Sequence, residues 1–204
     1  MELRKQRNKA SVQVGREIYW LTHEKLWRGK LARHIIVVAY DPRWVEQYNS
    51  EALKIKGILQ DNCVTIHHIG STAVKGLYAK PIIDIMPVVH SLEEVDGVST
   101  EFEKIGYEYM GEFGIKGRRY LRKGGNDRTH HIHIFREDNT ADISRHLAVR
   151  DYLRTHKDVC EKYSALKRTL AQKYPYDIDS YCDGKASFVR QMEKNAVIWK
   201  EQAT

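Results

Sequence analysis

Residues 68–89 read HIGSTAVKGLYAKPIIDIMPVV. A strand over residues 64–69 is expected to run into Gly70-Ser71, with a short helical turn after it. Glycine lets an anion approach the backbone closely. The N–H groups that open a helical turn, together with the Ser71 hydroxyl, can hold a phosphate. Lys75 and Lys80 add positive charge nearby. Downstream, residues 82–89 form an apolar strand broken by one charge, Asp84. Strand residues alternate faces, so Ile82, Asp84, Met86 and Val88 share one side. An unpaired carboxylate in such surroundings is costly. Asp84 therefore needs a cation such as Lys80, a strong hydrogen-bond network, or water at the strand's edge.

THHIHIF, residues 129–135, is the second unusual strand. Thr129, His131, His133 and Phe135 share one face, and His130, Ile132 and Ile134 the other. Two imidazoles on one face stand roughly 7 Å apart by strand rise. They suit a shared metal, a phosphate, or acid–base chemistry near neutral pH. The strand before them carries Arg118, Arg119 and Arg122, whose planar forks match phosphate or carboxylate; such a run is also an ordinary solvated face. In RHLAVRDYLR (145–154), Arg150 and Arg154 are helical neighbours and Asp151 lies off their face. These read as surface charges, with Arg150 a lesser candidate for a phosphate.

Working outward, residues 34–39 (HIIVVA) read as a buried strand. Asp41-Pro42 reads as the start of a helix over 42–60, with Trp44, Tyr48, Ile55 and Leu59 on one stripe. A helix over 91–105 and strands near 106–110 and 118–122 follow. From about Ile143 the pattern is helical, with a last helix over 183–200, packing aromatics Tyr174, Tyr176 and Tyr181, and Asp177 or Asp179 as a cap. The fold class is α/β (α+β): a mixed sheet within 34–135 and a helical part over 140–204.

The chain has 204 residues, 42% apolar and 30% charged, the composition of one ordered domain of about 34–204 with an extension before it. Of the net +7, residues 1–33 carry +6, from nine Lys/Arg against three acids. A basic arm can contact nucleic acid. Ile18, Trp20, Leu21, Leu26 and Trp27 interleave with those charges, so a helix over 12–32 packed on the body is the favoured reading. No apolar run is long enough for a membrane span. Cys63, Cys160 and Cys182 match no metal spacing and leave an odd thiol, so a reducing cytoplasmic setting is expected.

Taken in order, VVAYDPRW (37–44), HIGSTAVKGLYAKPIIDI (68–85), GIKGRRYLRKG (114–124), THHIHIF (129–135), RHLAVRDYLR (145–154) and YCDGKASFV (181–189) resemble the GrpB family over about residues 35–199. That family is in turn similar to the nucleotidyltransferase fold, a mixed sheet flanked by helices. The resemblance implies that Gly70 and Ser71 cradle nucleotide phosphates. Asp84 would be one acid of a magnesium-binding pair, and its partner position, Ile82 or Met86, is apolar here. His131 and His133 would complete a metal site or act as base, while Lys80, Arg118 and Arg119 stabilise negative charge. The expected cofactors are a divalent metal, magnesium first, with ATP or another nucleotide; the partner is a small-molecule or nucleotide ligand. The activity implied is nucleotidyl or phosphoryl transfer. The alternatives are a non-catalytic anion-binding or protein-folding accessory module, and an interaction protein docking through residues 1–33. Family members are described attached to dephospho-coenzyme A kinase. The G-x-x-x-x-G-K-[ST] loop of a kinase does not occur in this chain, so that activity is not expected.

Overall fold

The computed structural model describes residues 34–202; the helix expected over 12–32 and the basic extension lie outside them. In chain order the elements are α1 (Arg43–Leu59), β1 (Cys63–Ile69), β2 (Ile83–Val89), α2 (Leu92–Gly97), α3 (Ser99–Lys104), β3 (Tyr107–Tyr109), β4 (Arg118–Lys123), β5 (His130–Arg136), α4 (Thr140–Thr155), α5 (Lys157–Lys173) and α6 (Ile178–Gln202). The strands form one mixed sheet in the order β1-β2-β5-β4-β3. β2 and β5 are parallel, and the other pairings are antiparallel. A parallel pair needs a long crossover, and α2, α3, β3 and β4 supply it.

The period-two alternation of the strands divides the core. Ile83, Ile85, Val89, Leu121, Ile132 and Ile134 point to one face and pack on Trp44, Ile55 and Leu59 of α1, Val95 of α2 and Phe102 of α3. Burying each such aliphatic side chain contributes about 1.5–3 kcal/mol. On the opposite face Ile69, Met86 and Phe135 pack with Ile143 and Leu147 of α4. Ala148, Tyr152 and Leu153 of α4 meet Cys160 and Tyr163 of α5 and Val189, Met192 and Ala196 of α6. Gly184 lets α6 cross α5 closely: a Cβ there would overlap the Leu170 side chain. Among the described residues, no helix is long and apolar enough to cross a membrane.

Several elements depart from the sequence reading. Residues 34–39 are not a buried strand. They make one antiparallel bridge, Val38 to Ala79, and Ile36 is 51% exposed. Ile35 alone is buried there, its N–H held by the Pro175 carbonyl at 2.7 Å, so the segment lies along loops rather than the sheet. α1 begins one residue later than expected, with Asp41 Oδ1 accepting from the Arg43 backbone N–H at 2.9 Å. The helix expected over 91–105 is two, broken at Val98 just after the poor helix former Gly97. α4 starts earlier because Asn139 accepts from the Asp142 N–H, and α6 because Asp177 accepts from the Ser180 N–H. Tyr181 is buried as expected, while Tyr176 is exposed and stacks on His34.

One charge sits on the apolar stripe of α1. Glu51 is buried and accepts from Lys123 of β4 at 2.7 Å and from Lys54 at 2.8 Å. Burial pushes its carboxyl up, but those two ammonium partners outweigh burial and hold the pKa below the ordinary value. A carboxyl depressed in the folded state contributes stability above its unfolded pKa of about 4.3 and loses it as pH falls through the lower folded value. Glu51→Gln should cost about 2 kcal/mol at pH 7 in urea unfolding. Between about pH 5 and pH 3 the wild type should lose more stability than the variant; parallel slopes would show that the contact contributes nothing.

Candidate functional site

The cleft opens where β2 and β5 meet α4, α5 and α6. Parallel register sets Asp84 opposite His131, and antiparallel register sets Asp84 opposite Ile69, so β1 delivers the Gly70-Ser71 turn beside the carboxylate. Gly70 has φ +68°, and a Cβ on it would overlap Asp84 Oδ2. Glycine is thus required twice, for the left-handed backbone and for the close approach of Asp84. Ser71–Ala73 is a single 3-10 turn.

Polar contacts fix that turn from behind. Thr72 donates its hydroxyl to the Ile82 carbonyl at 3.2 Å, so it accepts from His68 Nε2 at 3.0 Å. The His68 ring stacks on Tyr48, and burial lowers its pKa to about 4, keeping it neutral. From α4, Arg154 donates twice to the Ala73 carbonyl and Arg150 donates to the His68 carbonyl at 3.3 Å. Asp151 does share that surface, contrary to expectation, lying 2.8 Å from Arg150 and 3.7 Å from Arg154. From α5, Lys167 Nζ donates to Ser71 Oγ at 3.1 Å.

Asp84 Oδ1 lies 3.3 Å from His131 Nδ1 and 3.7 Å from His133 Nε2. Imidazoles, not Lys80, answer the carboxylate. Burial would raise the Asp84 pKa, but the two rings outweigh it and hold the group below the carboxylate range. Burial also depresses both histidines, His133 to about 4, despite the attraction of Asp84. At neutral pH the trio is one anion and two neutral rings. Arg118 of β4 lies 3.3 Å from His133 Nδ1 and donates to the carbonyls of Glu112 and Phe113. A guanidinium only donates, so His133 carries its proton on Nε2, toward Asp84.

The cleft is also strongly cationic. Among the described residues, Lys80, Arg118, Arg128, Arg145, Arg150, Lys167 and Lys185 line it against two acids, Asp84 and Glu193. Glu193 is engaged by Arg145 at 3.1 Å. Lys167 is 3% exposed, lies over the Tyr163 ring, and meets no carboxylate among the described residues. Burial, then the nearby Lys185 charge, push its pKa well below the ordinary lysine value. Among the described residues no acid stands there to hold its proton, so burial favours the neutral amine.

Of the residues singled out in the sequence, Gly70, Ser71, Lys80, Asp84, Arg118, His131 and His133 converge on this cleft. Arg119 does not. It points to the other face of β4 and pairs with Asp96 of α2 at 2.6 Å. Arg122 pairs with Glu108 of β3, and Lys75 is exposed outside the cleft. Ile82 and Met86, the alternative positions for a second acid, are buried and apolar. Lys167, Lys185, Arg128 and Arg145 were missed. Lys167 had a signal, since it occupies the α5 stripe of Cys160, Tyr163 and Leu170; the others had none.

A metal fits this group only in part. One carboxylate oxygen and two imidazole nitrogens lie within 4.8 Å of one another, and ligation would require His133 to give up the proton on Nε2. Magnesium prefers oxygen donors, and the second carboxylate it would share is absent.

Comparison with known proteins places these features in a group. The sequence model of the GrpB family, described as GrpB protein, matches residues 34–195. The crystal structure of conserved protein GrpB from Enterococcus faecalis is 52% identical, with a TM-score of 0.79 over 81% of this chain and 99% of that one. UPF0157 protein YqkA of Bacillus subtilis is 41% identical over 83% of this chain. The chain spans about half, 49%, of that relative's length. UPF0157 protein BH1888 of Halalkalibacterium halodurans is 35% identical over 82% of this chain and 87% of its own.

Gly70→Ala should lower stability by about 1–3 kcal/mol, through its positive φ and the overlap with Asp84. The check is thermal unfolding against Gly76→Ala, which has a similar φ but open space at its Cβ. Equal losses at the two positions would remove the argument from close approach.

Proposed function

The chain belongs to the GrpB family, and from that premise we propose that its cleft binds a phosphorylated small molecule of the nucleotide class and transfers a nucleotidyl or phosphoryl group from it. The observation that carries this reading is Lys167: a buried lysine amine, 3.1 Å from Ser71 Oγ, that no carboxylate meets among the described residues and that an anion would help to hold protonated. Phosphate oxygens would supply the missing negative charge.

In this reading the backbone N–H groups and hydroxyl of the Gly70-Ser71 turn hold phosphate oxygens, and Lys80 and Lys167 neutralise them. Arg118 is already oriented by two backbone carbonyls, so it can stabilise developing charge with little reorganisation. Asp84, His131 and His133 would hold a divalent ion, whose contribution is neutralising phosphoryl charge. A second reading, a binding module without turnover, draws support from Ile82 and Met86, which leave Asp84 without a carboxylate partner.

Titration calorimetry with ATP on the full chain tests the ligand. Wild type should bind, and Lys167→Met should weaken binding about 10-fold or more, equivalent to about 1.4 kcal/mol. The variant's melting temperature should hold or rise, because a desolvated amine is replaced by an apolar side chain of similar length. Equal affinity in Lys167→Met, or no binding of any common nucleoside triphosphate by wild type, would falsify the proposal. Pyrophosphate or phosphate release over hours separates transfer from binding alone.

A further inference from the structure

The ion expected from the resemblance is magnesium, and the donors do not suit it. Magnesium sheds water reluctantly and takes oxygen ligands in near-octahedral array. Here a single carboxylate is joined by two imidazoles. Glu193, the other acid of the cleft, is taken by Arg145.

We infer that Asp84, His131 and His133 form a site for a first-row transition-metal dication of the zinc class, adjoining the phosphate-holding turn. This rests on the reading of the cleft as a metal-assisted phosphate site and specifies its ion. Imidazole nitrogen suits zinc and its neighbours, whereas carboxylate, carbonyl and water suit magnesium. Spacing agrees. Tetrahedral zinc with bonds of about 2.0–2.1 Å sets its ligands about 3.4 Å apart. Two of the pairs here already lie at 3.3 and 3.7 Å.

Rigidity agrees as well. Asp84 and His131 are register partners on adjacent parallel strands, and His133 follows on the same face, so no donor rides on a loop. Three protein ligands leave a fourth position for water or a phosphate oxygen, the pattern of a reactive rather than a structural site. The donor set, one anion and two neutral rings, leaves a bound dication with net positive charge facing the anion cleft. Arg118 limits the affinity. A metal-bound histidine usually donates its other N–H to an acceptor, and here a guanidinium stands there instead. Loading must move the His133 proton from Nε2 to Nδ1 and turn Arg118 aside, so the site should bind about 10–100-fold more weakly than one in which a hydrogen-bond acceptor faces Nδ1 to take that proton.

The test uses untagged full-length protein stripped with a chelator. Zinc, cobalt and magnesium are titrated by calorimetry, and cobalt also by its visible absorption bands. One equivalent of zinc or cobalt should bind, with magnesium at least about 100-fold weaker. Asp84→Asn and His131→Ala should each weaken zinc about 10–100-fold. His130→Ala, on the opposite face of β5, should leave it unchanged. Magnesium as tight as zinc, zinc binding indifferent to His131→Ala, or no bound ion would each overturn the inference. His131→Gln, with circular dichroism, serves if the alanine variant fails to fold. ATP titrated into the same stripped protein separates the two ideas. ATP binding without zinc binding sinks only the metal assignment, and zinc binding without ATP binding sinks only the nucleotide reading.

Discussion

The Asp84 carboxylate is the constraint around which the cleft is arranged. It stands on a strand whose other side chains are apolar, where an unanswered charge is expensive. The answer is local and neutral: two imidazoles from the parallel neighbour approach it, and a turn without a side chain makes room for it. Parallel pairing of β2 with β5 brings Asp84 and His131 level, and antiparallel pairing with β1 brings the Gly-Ser turn alongside. Had β5 paired one residue out of register, the histidines would have faced α1.

The helical part then supplies what the sheet lacks. α4 ties down the turn by donating to its carbonyls, and α5 and α6 bring cations over its mouth. A buried lysine of this kind does not contribute to stability. Lys167 is desolvated, with the Ser71 hydroxyl and the Tyr163 ring beside it and no carboxylate among the described residues. Glu51 is the contrasting case on the far side of the sheet. Its charge is met by two lysines, and the contact is structural.

The departure from a magnesium-type carboxylate pair follows from residue identity at a few positions. Ile82 and Met86 are packed as core, with Met86 among Ile69, Ile115 and Phe135. A carboxylate at Met86 would have to break that cluster. What stands beside Asp84 is therefore the imidazole nitrogens of β5, and Arg118 sets the tautomer of His133.

Local pattern alone determined the strands, the alternation of His131 and His133 against Ile132 and Ile134, the Gly70-Ser71 turn and the isolation of Asp84, because period, turn chemistry and charge in an apolar run are properties of neighbouring residues. It misjudged residues 34–39, since apolar content does not reveal whether a sheet edge is available to pair. It grouped Arg118 with Arg119, although alternation already assigned them to opposite faces, and the faces could be labelled only once Asp96 and His133 were in place. What tertiary structure decided was adjacency. Strand order put the histidines beside Asp84, and the packing of α5 and α6 brought Lys167 and Lys185 to Ser71's cleft. The Lys167–Ser71 hydrogen bond joins residues 96 positions apart, and its formation depends on the relative placement of whole elements, which no local periodicity encodes.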